Sequence, residues 1–357
     1  MHVDAAVFRS CSARSCGPRP KRRSTLVVRA TASAAVDKEK PDWTGDSVLS
    51  HIVNAAINTP AIFSLMKLGA REVMKSTSRK KGVPWDENIK ALQQSEVFQI
   101  KEEIENKDLQ YPDYYTVPFH GYDEGNLNWL AAFEVEPAAD VMALRSIPAD
   151  KRDAITAVEA QVRLRRGILD AVQDHMKQHG IAAPANILDI GCSTGISSRY
   201  LAAEFPEAAV TGLDMSPHML AVAELRERQL GGGQGQRQRI TYMHGDMEHS
   251  GFADASFDMV SVQFVTHECP ARVIASVVKE CRRLVKPGGL VLFADNNPRS
   301  KTIQNLPPVL FTLMKSTEPW SDEYYAFDLE AALRDAGLRD VITVEADHRH
   351  RAVLSHL

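Results

Sequence analysis

The second half of the chain predicts an α/β fold, a doubly wound sheet of seven strands ending in an antiparallel hairpin, and the first half predicts a helical extension in front of it. Short apolar runs at 186–190, 209–213, 240–243, 257–265 and 290–294 alternate with helical patterns at 197–204, 217–230 and 270–284. Continuous short apolar strands separated by helices indicate a parallel sheet covered on both faces. A last helix at 328–336 precedes two more runs, 341–345 and 351–354, with only 346–350 between them. That gap is too short for a helical crossover, so the final pair is expected to run antiparallel. Composition agrees: 357 residues with 44% apolar and 25% charged side chains describe a globular protein and exclude disorder, collagen and disulfide scaffolds.

In the extension, Val48, Ile52, Val53, Ala56 and Ile57 recur at three-four spacing, Pro60 restarts the chain into a helix over 61–74, and Pro84-Trp85-Asp86-Glu87 opens a helical run to 106. The basic run 75–81 reads as a solvated helix end, with a peripheral contact to a plastid membrane as the alternative. Pro112, Pro118 and the glycines of the aromatic stretch 111–126 exclude a helix there. Two more helices are expected at 127–144 and 150–179. The uncharged stretch 47–66 carries Ser50, His51, Asn54, Asn58, Thr59 and Pro60, too polar for a membrane span. The insert 231–235 follows a helix and is expected to be a surface loop without a phosphate-binding role.

Charge is unevenly distributed. Residues 1–30 hold seven arginines and lysines against Asp4 alone, a balance of +6, interleaved with serines. An Arg- and Ser-rich, acid-poor start has the composition of an organelle transit peptide, and Val28-Arg29-Ala30 before Thr31-Ala32 resembles a processing site. A chloroplast location is expected, with the mitochondrion as the alternative. The domain organisation is therefore read as a transit peptide at 1–30, a helical extension or lid at 41–179 and a sheet domain at 180–357. Without that segment the remaining charge is −10, which argues against a nucleic-acid partner. Cys11 and Cys16 lie in the basic start, and Cys192, Cys269 and Cys281 are odd in number and widely spaced, so neither a disulfide framework nor a metal site is expected.

Ligands of open parallel sheets sit beyond the carboxyl ends of the strands. The first such end reads Ile187-Leu188-Asp189-Ile190-Gly191-Cys192-Ser193-Thr194-Gly195, where Gly191 and Gly195 would let the backbone approach a ligand. A dinucleotide fingerprint would need glycine where Ser193 and Ile196 stand, which disfavours a nicotinamide-dependent reductase. The stretch resembles the first motif of class I S-adenosylmethionine-dependent methyltransferases, although many members carry glycine in place of Ser193. Val210-Thr-Gly-Leu-Asp214-Met215-Ser216-Pro-His-Met219 is similar to the family's second motif and His244-Gly245-Asp246-Met247 to its third. Ser256 to Val260 matches the start of the fourth strand, and Leu284-Val-Lys-Pro287-Gly288-Gly289 the turn before the fifth.

The resemblance implies a Rossmann-like fold and S-adenosyl-L-methionine as cofactor. It implies contacts from Asp189, Gly191, Cys192, Ser193, Thr194 and Gly195, from Asp214 to the ribose hydroxyls with Met215 and Ser216 beside it, from Gly245, Asp246 and Met247 to the adenine, and from Gln263. A carboxylate with two acceptor oxygens suits a vicinal diol. Asp258 is read as a structural turn acid. The fourth strand ends Gln263-Phe-Val-Thr-His267-Glu268-Cys269-Pro270, where His267 and Glu268 would meet the acceptor, His267 as a candidate base. That segment lacks the Asn/Asp-Pro-Pro-aromatic motif of enzymes that methylate amino nitrogens of bases or glutamine. Cys269 precedes Pro270, so the Pro-Cys context of cytosine carbon methyltransferases is also missing.

The overall likeness is to the ubiquinone/menaquinone biosynthesis-like branch and its plastid and cyanobacterial relatives, but the branch's tyrosine-asparagine-histidine-arginine signature is absent. In its place stands Phe119-His120-Gly-Tyr122-Asp-Glu-Gly-Asn126, from which His120 and Tyr122 are expected to face the acceptor beneath a helical lid. Tyr324, Tyr325 and the run 309–314 are expected to wall an apolar acceptor. The reading is methyl transfer to a small, apolar or aromatic molecule. A cofactor-binding protein without transfer activity and a protein methyltransferase are the alternatives, and the oligomeric state is not legible.

Overall fold

The computed structural model describes residues 39–44, 51, 55, 60–231 and 239–357. The expectations for 1–30, for most of 48–57 and for the insert past Gly231 lie outside these residues. The extension contributes helices α1 (Pro60–Lys81), α2 (Trp85–Gln93), α3 (Val97–Ile104), α4 (Trp129–Leu144) and α5 (Ala157–His179). The single helical run expected from Pro84 to 106 is therefore two helices. The long one expected from 150 begins only at Ala157, because Thr156 and Glu159 form a reciprocal capping box, and it ends on Gly180 in the left-handed conformation.

The sheet domain follows as β1 (Asn186–Ile190), α6 (Ile196–Glu204), β2 (Ala209–Asp214), α7 (Pro217–Leu230), β3 (Ile240–His244), β4 (Phe257–Gln263), α8 (Ala271–Leu284) and β5 (Val285–Asn296). It continues with α9 (Lys301–Gln304), α10 (Pro308–Thr317), α11 (Ser321–Ala326), α12 (Leu329–Asp335), β6 (Arg339–Glu345) and β7 (His350–His356). Strand order is β3-β2-β1-β4-β5-β7-β6, parallel through β5, with β7 antiparallel to both neighbours. The turn expected at 284–289 is absorbed into a β5 that pairs with Phe257 and then shifts register.

Alternation along the strands builds two apolar layers. Ile187, Val210, Met259 and Leu292 face α5, whereas Leu188, Ile190, Leu213, Val260 and Phe293 face α8. A third cluster joins Leu92, Val97, Ile100 and Phe133 of the extension to Met219, Val222 and Leu225 of α7, so the extension is packed onto the sheet domain. Strand order reverses between β1 and β4, and the crevice above that switch point is where the extension comes to lie. Among the described residues no helix is long and apolar enough to cross a membrane.

Candidate active site

β1 runs into a turn in which Gly191, Ser193 and Gly195 all take positive φ. Ser193 holds at +50° the conformation that glycine adopts most easily. The turn is pinned to β2 by Gly191 and Cys192 N–H groups donating to the Leu213 carbonyl, and by Ser193 N–H donating to Asp214 Oδ2 at 2.8 Å. Ser216 N–H donates to Asp214 Oδ1, also at 2.8 Å. Two of the carboxylate's roughly four lone-pair positions are thus taken by backbone, and the Tyr115 hydroxyl from the extension also acts on it. Burial raises the Asp214 carboxyl to about 6 against the opposing pull of those two N–H donors.

Asp214 lines a cavity of about 770 Å³, within the roughly 300–1,000 Å³ typical of small-molecule sites. Cys192, Ser193, Thr194, Met215, Met247 and Gln263 share its wall. Thr194 Oγ1 is buried there, with no partner among the described residues. Gln263 accepts from Arg165 at 2.8 Å and donates to Ser261, so it holds Arg165 beside the turn, over the Phe264 ring. Among the described residues Arg165 Nε has no partner.

Several residues expected to touch the cofactor do other work. Asp189 shares a strand face with Ile187, so it points into the layer under α6, where Oδ2 accepts from the hydroxyls of Ser197 and Ser198 at 2.6 and 2.7 Å. It is fully buried and does not line the cavity; it fastens the start of α6. Gly195 is bare because a Cβ would collide with the Tyr242 hydroxyl, and a Cβ on Gly191 would press on Val265. Ser216 caps α7, accepting from Met219 N–H while donating to the Asn126 carbonyl. Asp246 accepts from Glu248 N–H and pairs with His249, and neither it nor Gly245 lines the cavity. Asp258 is structural as expected, accepting from the N–H groups of Ala185 and Asn186 and pairing with Lys286.

The β4 and β5 ends form the other half. His267 Nδ1 lies 2.8 Å from Asp295 Oδ1, while Thr266 Oγ1 and His267 N–H donate to Asp295 Oδ2. Burial alone would lower the imidazole's pKa, but the Asp295 charge and hydrogen bond outweigh it and hold His267 well above its usual value. The pairing favours the protonated imidazole, which weighs against the candidate-base role of His267. Glu268 accepts from the Asn126 amide at 2.8 Å, and burial lifts its carboxyl to about 7.

His120 Nε2 lies 3.9 Å from Glu268 Oε1, and desolvation followed by the proximity of His267 keeps it neutral. Its backbone N–H donates to the Thr317 carbonyl, tying the extension to α10. Tyr122 lines the cavity, but its hydroxyl is committed to Glu134, which also accepts from Trp85 Nε1. It is a fixed wall, which corrects its placement among the reacting groups. Tyr324 and Tyr325 are buried behind the site and do not line it; Leu310, Leu313 and Met314 do. No metal was expected, yet ligand atoms of His120, His267 and Glu318 lie within 4.8 Å of one another, and those of His179, Asp340 and His356 do so at the opposite end of the sheet.

Tyr115, Asn126, Arg165, Asp295, Glu318 and Arg349 join the site without having been singled out for it. Asp295 ends β5, a strand-end acid like Asp214, and that position was its signal. Arg165 sits on an amphipathic helix, where a charged residue carries none.

Residues 187–289 match the family model described as Methyltransferase domain. Over 116 residues the chain is 38% identical to the ubiquinone biosynthesis O-methyltransferase of Sodalis glossinidius, covering 32% of this chain and 43% of that protein. Over 118 residues it is 33% identical to the demethylmenaquinone methyltransferase of Staphylococcus aureus, covering 33% and 45%. The chain thus spans less than half the length of these curated relatives. A solved phosphoethanolamine N-methyltransferase 2 of Haemonchus contortus is similar at a TM-score of 0.39 and 19% identity, covering 52% of each chain.

Proposed function

We propose that this chain, whose residues 187–289 match a methyltransferase domain, is a class I S-adenosylmethionine-dependent methyltransferase that transfers a methyl group to a small acceptor with an apolar or aromatic body. The observation that carries the reading is Asp214, a strand-end carboxylate at the switch point that is held by two backbone donors and lines the cavity. S-Adenosylmethionine, when bound, supplies a methyl group activated by a positively charged sulfur. Asp214 suits its ribose diol, Thr194 Oγ1 offers an unused hydroxyl, and Arg165 offers a cation for its carboxylate.

Holding two reactants in line is worth roughly 7–11 kcal/mol, and the walls contributed by the extension and α10 perform that holding and exclude water. Where the acceptor must lose a proton, Glu268 is the base: its carboxyl near 7 is matched to neutral pH, and Asn126 orients it. His267, locked by Asp295, presents a charged N–H edge that favours negative charge developing on the acceptor. His120 borders both groups as a neutral ring.

The two curated relatives are named for ubiquinone biosynthesis and demethylmenaquinone, which supports a ring-bearing acceptor. The basic, serine-rich start supports work in the plastid. The test is thermal shift with S-adenosylmethionine and NADPH in parallel, then labelled-methyl transfer into a plastid lipid and metabolite extract. S-Adenosylmethionine should stabilise the protein and NADPH should not, and Asp214→Ala should abolish the shift. Retained tight binding by that variant would contradict the pocket assignment, and binding with no label transferred would leave a binding protein only.

A further inference from the structure

The acceptor end of the cavity gathers three guanidiniums, most of whose N–H donors have no partner among the described residues. Arg145 follows α4, Arg152 lies in the α4–α5 connection and Arg349 in the β6–β7 turn, and all three line the same cavity as His267 and Glu268. Arg349 is only 7% exposed, and among the described residues its guanidinium has no hydrogen bond and no ion pair. Arg152 donates to the Ile147 carbonyl and leaves Nε buried without a partner. Arg145 has a long contact to Met74 Sδ, 3.7 Å, and no carboxylate partner. Burial, followed by the charges of Arg349 and Arg152, pushes the Arg145 guanidinium down, so the three cations act on one another.

The acids facing this cluster are few. Glu318 carries a buried Oε2 with no partner among the described residues, and burial lifts its carboxyl above the usual range. Asp347 is occupied by His350 and by the backbone N–H groups of Arg349 and His350. Asp295 is occupied by His267 and Thr266. His348 and Tyr325 complete the surroundings of Arg349 without adding negative charge. Of the three guanidiniums only Arg349 is buried, and its donors are met by neither Glu318 nor Asp347 among the described residues; a buried cation whose donors lack partners is among the most costly features a fold can keep. Guanidiniums match planar or tetrahedral oxyanions through paired N–H donors.

We propose that Arg145, Arg152 and Arg349 form an oxyanion subsite, so that the acceptor carries a carboxylate or phosphate group at the end of its apolar body. This rests on the methyltransferase reading for the word acceptor, but the subsite itself can be tested without turnover. Arg165 is held by Gln263, a hydrogen-bond partner that the three arginines of the subsite do not share.

The experiment is thermal shift of the full chain at constant ionic strength with sodium benzoate and with inorganic phosphate, against chloride and neutral benzamide. At least one oxyanion should raise Tm saturably, benzamide should not, and the stronger of the two distinguishes a carboxylate from a phosphate. Arg349→Met should raise the half-saturating oxyanion concentration at least tenfold, keep the S-adenosylmethionine shift, and show an unliganded Tm no lower than the parent. A residue with a structural role would lower that Tm. No oxyanion shift, an unchanged half-saturation in Arg349→Met, or loss of the S-adenosylmethionine shift in that variant would each overturn the subsite. A parent protein unmoved by S-adenosylmethionine would instead overturn the methyltransferase reading, while the oxyanion arm still decides whether the subsite exists.

Discussion

At the β1–β2 end of the cavity the buried acids are met by neutral donors close by: backbone N–H groups of Ser193 and Ser216 for Asp214, hydroxyls of Ser197 and Ser198 for Asp189. At the β4–β5 end, titratable side chains from positions as far apart as 120, 145, 268, 318 and 349 face one another, and among the described residues Glu318 Oε2 and Arg349 Nε have no partner. Neutral donors stabilise a buried carboxylate without adding a second desolvated charge, so that half can be complete before any ligand arrives. Facing charges are tightly coupled and stay incompletely compensated, which suits a half whose partner is a reacting molecule.

The contrast is broken most directly at Asp295. Removing one partner of a buried ion pair costs roughly 3–5 kcal/mol, because the other charge is left unpaired. Asp295→Ala is expected to lose that much, measured by denaturant unfolding at neutral pH, while Asp258→Ala, whose carboxylate is far less buried, should lose much less. The pH dependence follows from the two shifts. Asp295 is lowered, so its contribution is present above the ordinary carboxyl pKa of about 4 and is lost as pH falls. His267 is raised, so its contribution is complete below about 6.5 and fades as pH climbs toward the folded value. The gap between parent and variant should therefore be widest between about pH 4 and 6.5. A gap independent of pH would mean that the pair is not ionic.

Glu268 is shifted in the direction opposite to Asp295. Its carboxyl is raised to about 7, so the folded state favours the protonated form; stability is complete below about 4.3 and is lost as pH rises through 7. Glu268→Gln should flatten the Tm profile across that window and be relatively more stable than the parent at pH 8. For an acceptor that must lose a proton, the same variant should lose about 10²–10⁴-fold in kcat. Unchanged turnover would remove Glu268 from the chemistry and leave the acceptor's own basicity to drive the reaction.

The same division governs what could be read in the chain. The strands, their order of appearance, the final hairpin and the Asp214 position were legible because each is written in a contiguous segment: an apolar run, a short gap, an acid at a strand end. Asp189 was misplaced because a motif specifies that a residue matters and not which way an alternating strand turns it. Gly195 was assigned to a ligand when the demand comes from Tyr242, some 47 positions later. Tyr122 has a hydroxyl that looks available until Glu134 is brought to it. Arg145, Arg152 and Arg349 are ordinary surface-type residues in sequence, and only the folding of the extension over the sheet brings them to one cavity.

Gly167 isolates that long-range effect with no charge involved. It lies inside α5, where replacing glycine by alanine ordinarily stabilises by up to about 1 kcal/mol. A Cβ there would stand 2.3 Å from the backbone carbonyl oxygen of Ala346, in the segment joining β6 to β7. Backbone on both sides leaves no flexible side chain to yield, and overpacking of this kind costs about 1–3 kcal/mol. Gly167→Ala is expected to be destabilising by about 1–2 kcal/mol in urea unfolding. The neighbouring exposed position Arg163→Ala should lie within about 0.5 kcal/mol of the parent. A stabilised Gly167→Ala would mean that local helix preference overrides the contact with the hairpin, and that α5 can shift relative to the turn that carries Arg349.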